Sequence, residues 1–143
     1  MSFEKKAKIL FLHYLLQMIN NKFIKISIYF CLIAVILGAF GAHFLKDLLA
    51  ENLLNSYQTG IRYQMIHALT ILILSLNTKK FNSLINVVLL TMTIGIVLFS
   101  FSIYMLTIQS LIGLSYSFLG LITPIGGIFL IVSWILLLFS IKK

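Results

Sequence analysis

The stretch LINVVLLTMTIGIVLFSFSIYML, Leu84–Leu106, runs for 23 residues without an acidic or basic side chain. A helix needs about 20 predominantly apolar residues to cross the hydrocarbon core of a bilayer, so this stretch predicts a transmembrane α-helix. Its apolar residues are continuous and do not alternate with polar ones, which disfavours a strand of a membrane β-barrel. The rest of the chain is therefore interpreted with lipid as its main solvent.

Three further apolar runs have a similar length, at about 26–45, 60–76 and 118–141, with an earlier start of the second as an alternative. The 143 residues are 61% hydrophobic and 10% charged, against about 45–50% and about 25% in soluble domains. Mean hydropathy is +1.10. The sequence predicts one all-α domain, an integral membrane four-helix bundle formed by residues 23–143.

Residues 1–22 form an N-terminal extension before the first predicted span. The segment KILFLHYLLQMI, residues 8–19, is apolar but short for a span, which favours a helix lying on the membrane interface. Met18 offers an alternative start, in which case residues 1–17 would lie outside the natural protein. The motif GAFGAH, residues 38–43, resembles a signal-peptide cleavage site, but the preceding segment is too long and a retained helix is favoured.

The lysines orient the predicted spans. They cluster before the first span, in the link between the second and third spans, and at the C-terminus, as Lys5, Lys6, Lys8, Lys22, Lys25, Lys79, Lys80, Lys142 and Lys143. The link 46–62 balances two bases against two acids, and the link 107–117 carries no charge. By the positive-inside rule, both termini are predicted to be cytoplasmic, in a bacterial plasma membrane. The net charge of +8 then indicates contact with anionic lipid and not with nucleic acid.

Polar residues gather near the predicted outer ends of the four helices, around the motif GIRYQMIHAL of residues 60–69. His67 lies about 7.5 Å deeper than Arg62 at 1.5 Å per residue, so its ring needs protein partners, for which we expect Tyr104, Ser100 or Gln64. This predicted polar cluster comprises His43, Arg62, Tyr63, Gln64, His67, Ser100, Tyr104 and Thr123.

Two interpretations of the predicted polar cluster stay open. Buried His and Gln often join membrane helices by hydrogen bonds, and Arg and Tyr often anchor helix ends at the interface. A ligand or proton site is the alternative, and it would suit a small transporter or channel for protons, anions or small solutes. No Ser-His-Asp set, P-loop or dinucleotide turn occurs, so we expect no enzyme activity.

A metal site is not expected, because zinc needs three or four ligands and only His43 and His67 are plausible, with Cys31 on the far side. Two histidines suffice for a haem, which leaves a membrane haem or redox protein as a further alternative. The primary expectation is a chain without a cofactor.

Small residues mark two predicted packing sites. Ala34, Gly38 and Ala42 repeat every four residues with Gly41 alongside, which predicts close contact with another span or with another copy of the chain.

In GLITPIGG, residues 120–127, Thr123 suits an N-cap and Pro124 the first helical position, with Gly126 and Gly127 in the first turn. Such a helix start would be a potential anion site. A proline kink is equally compatible.

Four ordered motifs resemble one known family: GAFGAH (38–43), RYQMIHAL (62–69), FSFSIY (99–104) and ITPIGG (122–127). They are similar to the signatures of the domain of unknown function 423 family, whose eukaryotic relatives are called transmembrane protein 256. The resemblance covers about residues 23–143. It departs at Phe101, where the family usually has glycine, so a tight helix contact there does not follow from it. The resemblance implies four helices, a plasma-membrane location and no established activity.

Overall fold

The computed structural model describes residues 3–113 and 118–142. Within them the chain forms five α-helices and no strand, apart from an isolated bridge between Phe81 and Ile141. The helices are α1 (Phe3–His43), α2 (Glu51–Leu76), α3 (Ile85–Ile96), α4 (Ser102–Ile112) and α5 (Leu119–Ser140). A π turn, Val97–Phe101, joins α3 to α4, and short 3-10 turns follow α1 and α2 at Leu45–Asp47 and Thr78–Lys80.

Four helical segments are long and apolar enough to cross a membrane, which confirms the predicted all-α architecture with four spans. They are Asn21–Asp47, Glu51–Leu76, Ile85–Ile112 and Leu119–Ser140. The second starts nine residues before the predicted position 60, because Leu53, Leu54 and Tyr57 bring one face of its first turns against the rest of the protein. The third continues to Ile112, and residues 114–117 of the link that follows lie outside the described residues.

The first helix has no break at residue 22. It runs from Phe3 through the first span to His43, so residues 3–22 and the span share one continuous helix. Residues 1 and 2 lie outside the described part of the chain. The interfacial position of the extension stays a prediction.

Helix α2 lies between α1 on one side and α3–α4 on the other, while α5 packs on α3 and α4. Two groups of buried apolar side chains hold this arrangement. One, near the C-terminal end of α2, comprises Phe23, Ile71, Leu74, Ile85, Val88, Leu89, Met92, Ile96 and Leu130. The other, near its N-terminal half, comprises Leu45, Leu49, Tyr57 and Tyr104.

The chain end and the α2–α3 loop meet at one end of the bundle. The backbone N–H of Asn82 donates to Ser140 O at 2.8 Å, and the backbone N–H of Lys142 donates to Lys80 O at 3.2 Å. The basic loop and the basic C-terminus therefore lie at the same end, as an even number of spans between them requires.

The small residues of α1 face α2. Ala34 is buried, and a Cβ built on Gly38 would lie 3.9 Å from Ile61 Cγ2. A Cβ on Gly41 would come within 2.8 Å of the Tyr57 ring, whereas Ala42 is exposed. The residues that face α2 are Ala34, Gly38 and Gly41, which are spaced by four and then three positions. This spacing follows the 3.6 residues of a helical turn more closely than a strict repeat of four, so Gly41 and not Ala42 continues the contact face.

The interpretation of Thr123 as an N-cap is wrong. Helix α5 begins at Leu119, which places Thr123 and Pro124 inside it. The Thr123 hydroxyl donates to Leu119 O at 3.2 Å, one turn back, instead of capping a helix start. Pro124 is exposed, and its missing N–H leaves the carbonyl one turn back, that of Gly120, without its usual helical partner. The predicted anion site at a helix start near residue 124 is therefore absent.

Gly126 makes the closest approach between α5 and the third span. A Cβ at this position would come 2.8 Å from both Leu98 C and Phe99 Cα, within the π turn. Gly127 is less constrained, with a built Cβ 3.8 Å from the Phe99 ring. Phe101 turns its side chain outward and is 58% exposed, so it does not enter this contact.

Candidate functional site

Gln64 links three helices through its side chain. It is 4% exposed on α2, and its Nε2 donates to Phe30 O of α1 at 2.8 Å. Its Oε1 accepts a hydrogen bond from the Tyr104 hydroxyl of α4 at 2.9 Å. Because a polar group in hydrocarbon is costly without a partner, this arrangement satisfies an amide donor, an amide acceptor and a phenol together.

Gly60 and Ser100 bring α2 close to the third span beside Gln64. The Ser100 hydroxyl donates to Gly60 O at 2.9 Å. A Cβ on Gly60 would lie 2.7 Å from Tyr104 Cε1, so a larger residue would displace the ring that bonds Gln64. Glycine here allows both the close backbone approach and the position of Tyr104.

Tyr57 belongs to the same group, although sequence reasoning missed it. It is fully buried, and its hydroxyl donates to Leu37 O of α1 at 3.2 Å. The centroid of its ring lies 5.2 Å from the centroid of the Tyr104 ring. A signal was present: the buried positions 57, 60, 64, 67, 71 and 74 of α2 recur at alternating spacings of three and four, which is typical of a helix-packing seam.

His67 has a separate set of partners. Its Nε2 lies 3.1 Å from Trp134 Nε1 of α5, and its Nδ1 lies 2.8 Å from Tyr63 O. An indole N–H can only donate, so Nε2 accepts, and Nδ1 carries the ring proton that is donated to the carbonyl. This network assigns a neutral imidazole with both nitrogens engaged.

The expected partners of His67 were wrong. Tyr104 and Gln64 bond to each other, and Ser100 bonds to Gly60. The expected depth also changes, because α2 begins at Glu51: His67 lies about 24 Å along the helix from that residue and only about 13 Å from Leu76. It is thus nearer to the end that carries the Lys79–Lys80 loop than to the opposite end.

Thr123 joins a third polar contact, with Ser102 of α4. Their hydroxyl oxygens lie 2.7 Å apart, and the Ser102 hydroxyl also lies 2.6 Å from Leu98 O and 2.9 Å from Phe99 O. This pair sits at the π turn, beside the close contact of Gly126 with α3–α4.

The remaining predicted residues lie at the surface. Arg62 is exposed, and its Nη2 donates to Thr59 Oγ1 at 3.1 Å. Tyr63 is 42% exposed, with its ring 4.6 Å from Phe99 and 5.8 Å from His67. His43 is exposed at the end of α1. The predicted polar cluster therefore resolves into three buried contacts and three surface residues.

The arrangement does not fit a haem held by His43 and His67. An axial ligand needs a free ring nitrogen, whereas both nitrogens of His67 have partners within the protein. Within residues 3–113 and 118–142, no three His, Cys, Asp or Glu side chains gather in a group suited to a metal ion. The buried hydrogen bonds described above join neighbouring helices.

Comparison with known proteins identifies similar chains. The family described as protein of unknown function (DUF423) matches residues 37–127. The UPF0382 membrane protein YwdK of Bacillus subtilis is 39% identical over 114 residues, 78% of this chain and 89% of that protein. A UPF0382 membrane protein of Haemophilus influenzae is 34% identical over 127 residues, 87% of this chain and 96% of that protein. No solved structure matches.

Proposed function

This chain belongs to the DUF423 family of membrane proteins, and from that premise we propose that it is a non-catalytic protein of the bacterial plasma membrane. Its buried polar contacts fix the helix arrangement, and its membrane-facing surface engages lipid or a protein partner. One observation carries the proposal: each buried member of the predicted polar cluster is hydrogen-bonded to another part of the protein.

The geometry of these bonds supports a structural role. Gln64 uses both ends of its amide, and His67 uses both ring nitrogens. A catalytic or transport group needs a lone pair or a proton available to substrate. Here the same atoms satisfy one another and backbone carbonyls, as expected of helix contacts in hydrocarbon.

Complementation in a deletion strain tests this role. A His67→Leu variant that reaches normal abundance should replace the wild-type protein fully, because the side chain contributes packing and not chemistry. Folding is checked by size-exclusion profile and thermal stability. A variant that is folded and abundant but inactive would contradict a non-catalytic role for this cluster.

Transport is the competing function, and no described contact favours it over helix packing. Purified protein in liposomes should show no flux of protons, common anions or small solutes beyond that of empty liposomes. Flux that is abolished by His67→Leu would contradict the structural role and would indicate that the protein is a transporter.

The proposal includes an orientation with both termini in the cytoplasm, supported by the lysines at one end of the bundle. Single cysteines at Asn55 and Thr78, in a Cys31→Ala background, test it. A membrane-impermeant maleimide should label the first in intact spheroplasts and the second only after lysis. The reverse labelling pattern would indicate the opposite orientation, with both termini outside the cytoplasm.

A further inference from the structure

The exposed face of α2 changes character halfway along the helix. Over residues 51–62 its exposed side chains are all polar, namely Glu51, Asn52, Asn55, Ser56, Gln58 and Arg62. From residue 66 to the end of the helix its exposed side chains are all apolar, namely Ile66, Leu69, Ile73 and Leu76. Arg62, Ile66, Leu69 and Ile73 are spaced by four, three and four positions, so they share one face. This order of polar and apolar groups matches the order along a phospholipid, from headgroup to acyl chains.

Arg62 lies at the depth of the hydrocarbon core. About 20 helical residues cross that core, and counted back from Leu76, the last residue of α2, they reach residue 57. Arg62 is then about 7.5 Å inside the edge, at 1.5 Å per residue. The neighbouring helix α1 is apolar at this level, since it exposes Ile33 and Ile36 between the two positions that bond to α2. A charged side chain at this depth needs a partner.

The Arg62 guanidinium is turned toward the start of α2. Its Nη2 donates to Thr59 Oγ1 at 3.1 Å, about one turn nearer the edge of the core. The Thr59 hydroxyl donates in turn to Asn55 O at 3.0 Å, which leaves its oxygen as the acceptor for the arginine. A guanidinium carries five N–H donors, and among the described residues Arg62 uses one of them. Because the side chain is exposed, the others can reach an anion.

None of the acidic residues of the chain lies near Arg62. There are three of them, Glu4, Asp47 and Glu51. Glu51 is about 16 Å away along α2, and Asp47 precedes that helix. Glu4 is in the first turn of α1, about 40 Å along that helix from the level of Arg62. The counter-ion of Arg62 is therefore expected from outside the chain.

A second copy of the chain does not supply the missing charge. Two copies that met through this face would bring their Arg62 side chains together, and like charges repel. Their α2 helices would cross the membrane in the same direction, so Glu51 of each would stay about 16 Å from Arg62 of the other. A phospholipid fits both parts of the face, because its phosphate can bond a guanidinium in bidentate fashion and its acyl chains are apolar.

We propose that this face of α2 binds a phospholipid of the outer leaflet through its phosphate group. Arg62 pairs with the phosphate, Thr59 holds the guanidinium toward it, and the acyl chains lie along the apolar part of the face from Ile66 to Ile73. The choice of leaflet rests on the proposed orientation, whereas the pairing does not. The site is separate from the buried polar contacts, so its failure would leave their structural role standing.

Native mass spectrometry of the full chain in detergent tests the site, with phosphatidylethanolamine as the probe. A diglucosyl diacylglycerol with the same acyl chains is the reference, because it lacks phosphate. Wild-type protein should retain the phospholipid about tenfold more than the glycolipid, and Arg62→Gln should remove that preference. Lys46→Gln is the matched control, because Lys46 is an exposed cation in the turn that precedes α2. It should cost about twofold at most, since charges that do not touch the ligand are largely screened.

Thr59→Val supplies an independent arm. It keeps the charge of Arg62 and the shape of the threonine but removes the acceptor that orients the guanidinium, so retention should fall about threefold. Thermal unfolding of lipid-free protein checks that each variant is folded. Equal losses in Arg62→Gln and Lys46→Gln, equal retention of the two lipids by wild type, or unchanged retention in Thr59→Val would overturn the proposal. So would a wild-type dimer that Arg62→Gln dissociates, because it would assign the face to a second copy.

Discussion

Replacing Gln64 by Leu should destabilise the bundle more than any other polar-to-apolar change on α2. The substitution keeps the side-chain volume close to that of Gln but removes the bonds to Phe30 O and to the Tyr104 hydroxyl, both shorter than 3.0 Å. Phe30 O keeps its own helix bond, whereas the buried Tyr104 hydroxyl loses Gln64 Oε1, the acceptor of its hydrogen bond.

The magnitude follows from these two losses. Side-chain hydrogen bonds between membrane helices contribute about 0.6 kcal/mol on average, and a buried hydroxyl left unpaired costs about 1–3 kcal/mol. We therefore expect Gln64→Leu to lower the free energy of unfolding by about 2–3 kcal/mol. Tyr104→Phe alone should cost about 1 kcal/mol, because Gln64 keeps its bond to α1.

The double variant gives the sharper result. With both partners apolar, no buried hydroxyl is left unpaired, so its cost should fall below the sum of the single costs by about 1 kcal/mol. Unfolding in mixed micelles, monitored by circular dichroism, measures the stabilities of the two single variants and of the double variant. Gln58→Leu is the matched control, because Gln58 is exposed on the same helix. Equal stabilities of Gln64→Leu and Gln58→Leu, or strictly additive costs, would refute the assigned network.

Three further predictions concern helix contacts. Gly60→Ala should cost about 1–3 kcal/mol in the same unfolding assay, since its Cβ would lie 2.7 Å from Tyr104 Cε1. Gly120→Ala, with open space around it, should be nearly neutral, and equal costs would contradict the tight contact. Gly126→Ala should lower the yield of folded protein far more than Gly127→Ala, because its Cβ meets backbone atoms that cannot rotate away; similar yields would argue against the close crossing. His67→Leu should shift the emission of Trp134, the single tryptophan, because its indole loses its acceptor; an unchanged spectrum would exclude that bond.

The sequence alone was sufficient to identify the four apolar spans and the family. Each span is a continuous apolar run, and lipid requires such runs to be helical because the backbone must satisfy its own hydrogen bonds. The family resemblance, from four short motifs, is confirmed by the match over residues 37–127. Orientation, the separate N-terminal extension and the absence of enzyme activity stay predictions.

Site composition was only partly predictable. In the structure Tyr104 bonds to Gln64, and Ser100 bonds to Gly60 one turn away on the same helix. The packing seam through Tyr57 and Gly60 is present in the sequence, but Tyr57 lies before residue 60, where the sequence predicts the second span to begin. A test for alternating spacings of three and four from Glu51 onward would have found it.

Tertiary structure alone decided which partners meet. Trp134 lies 67 positions from His67, and only the rotation of α5 about its axis brings the indole to the ring. In lipid, apolar residues are favourable on every face of a helix, so hydrophobicity does not specify that rotation. Close contacts of small residues specify it instead, such as Gly126 against the π turn. The sequence thus determined how often the chain crosses the bilayer, and packing determined which polar groups share its interior.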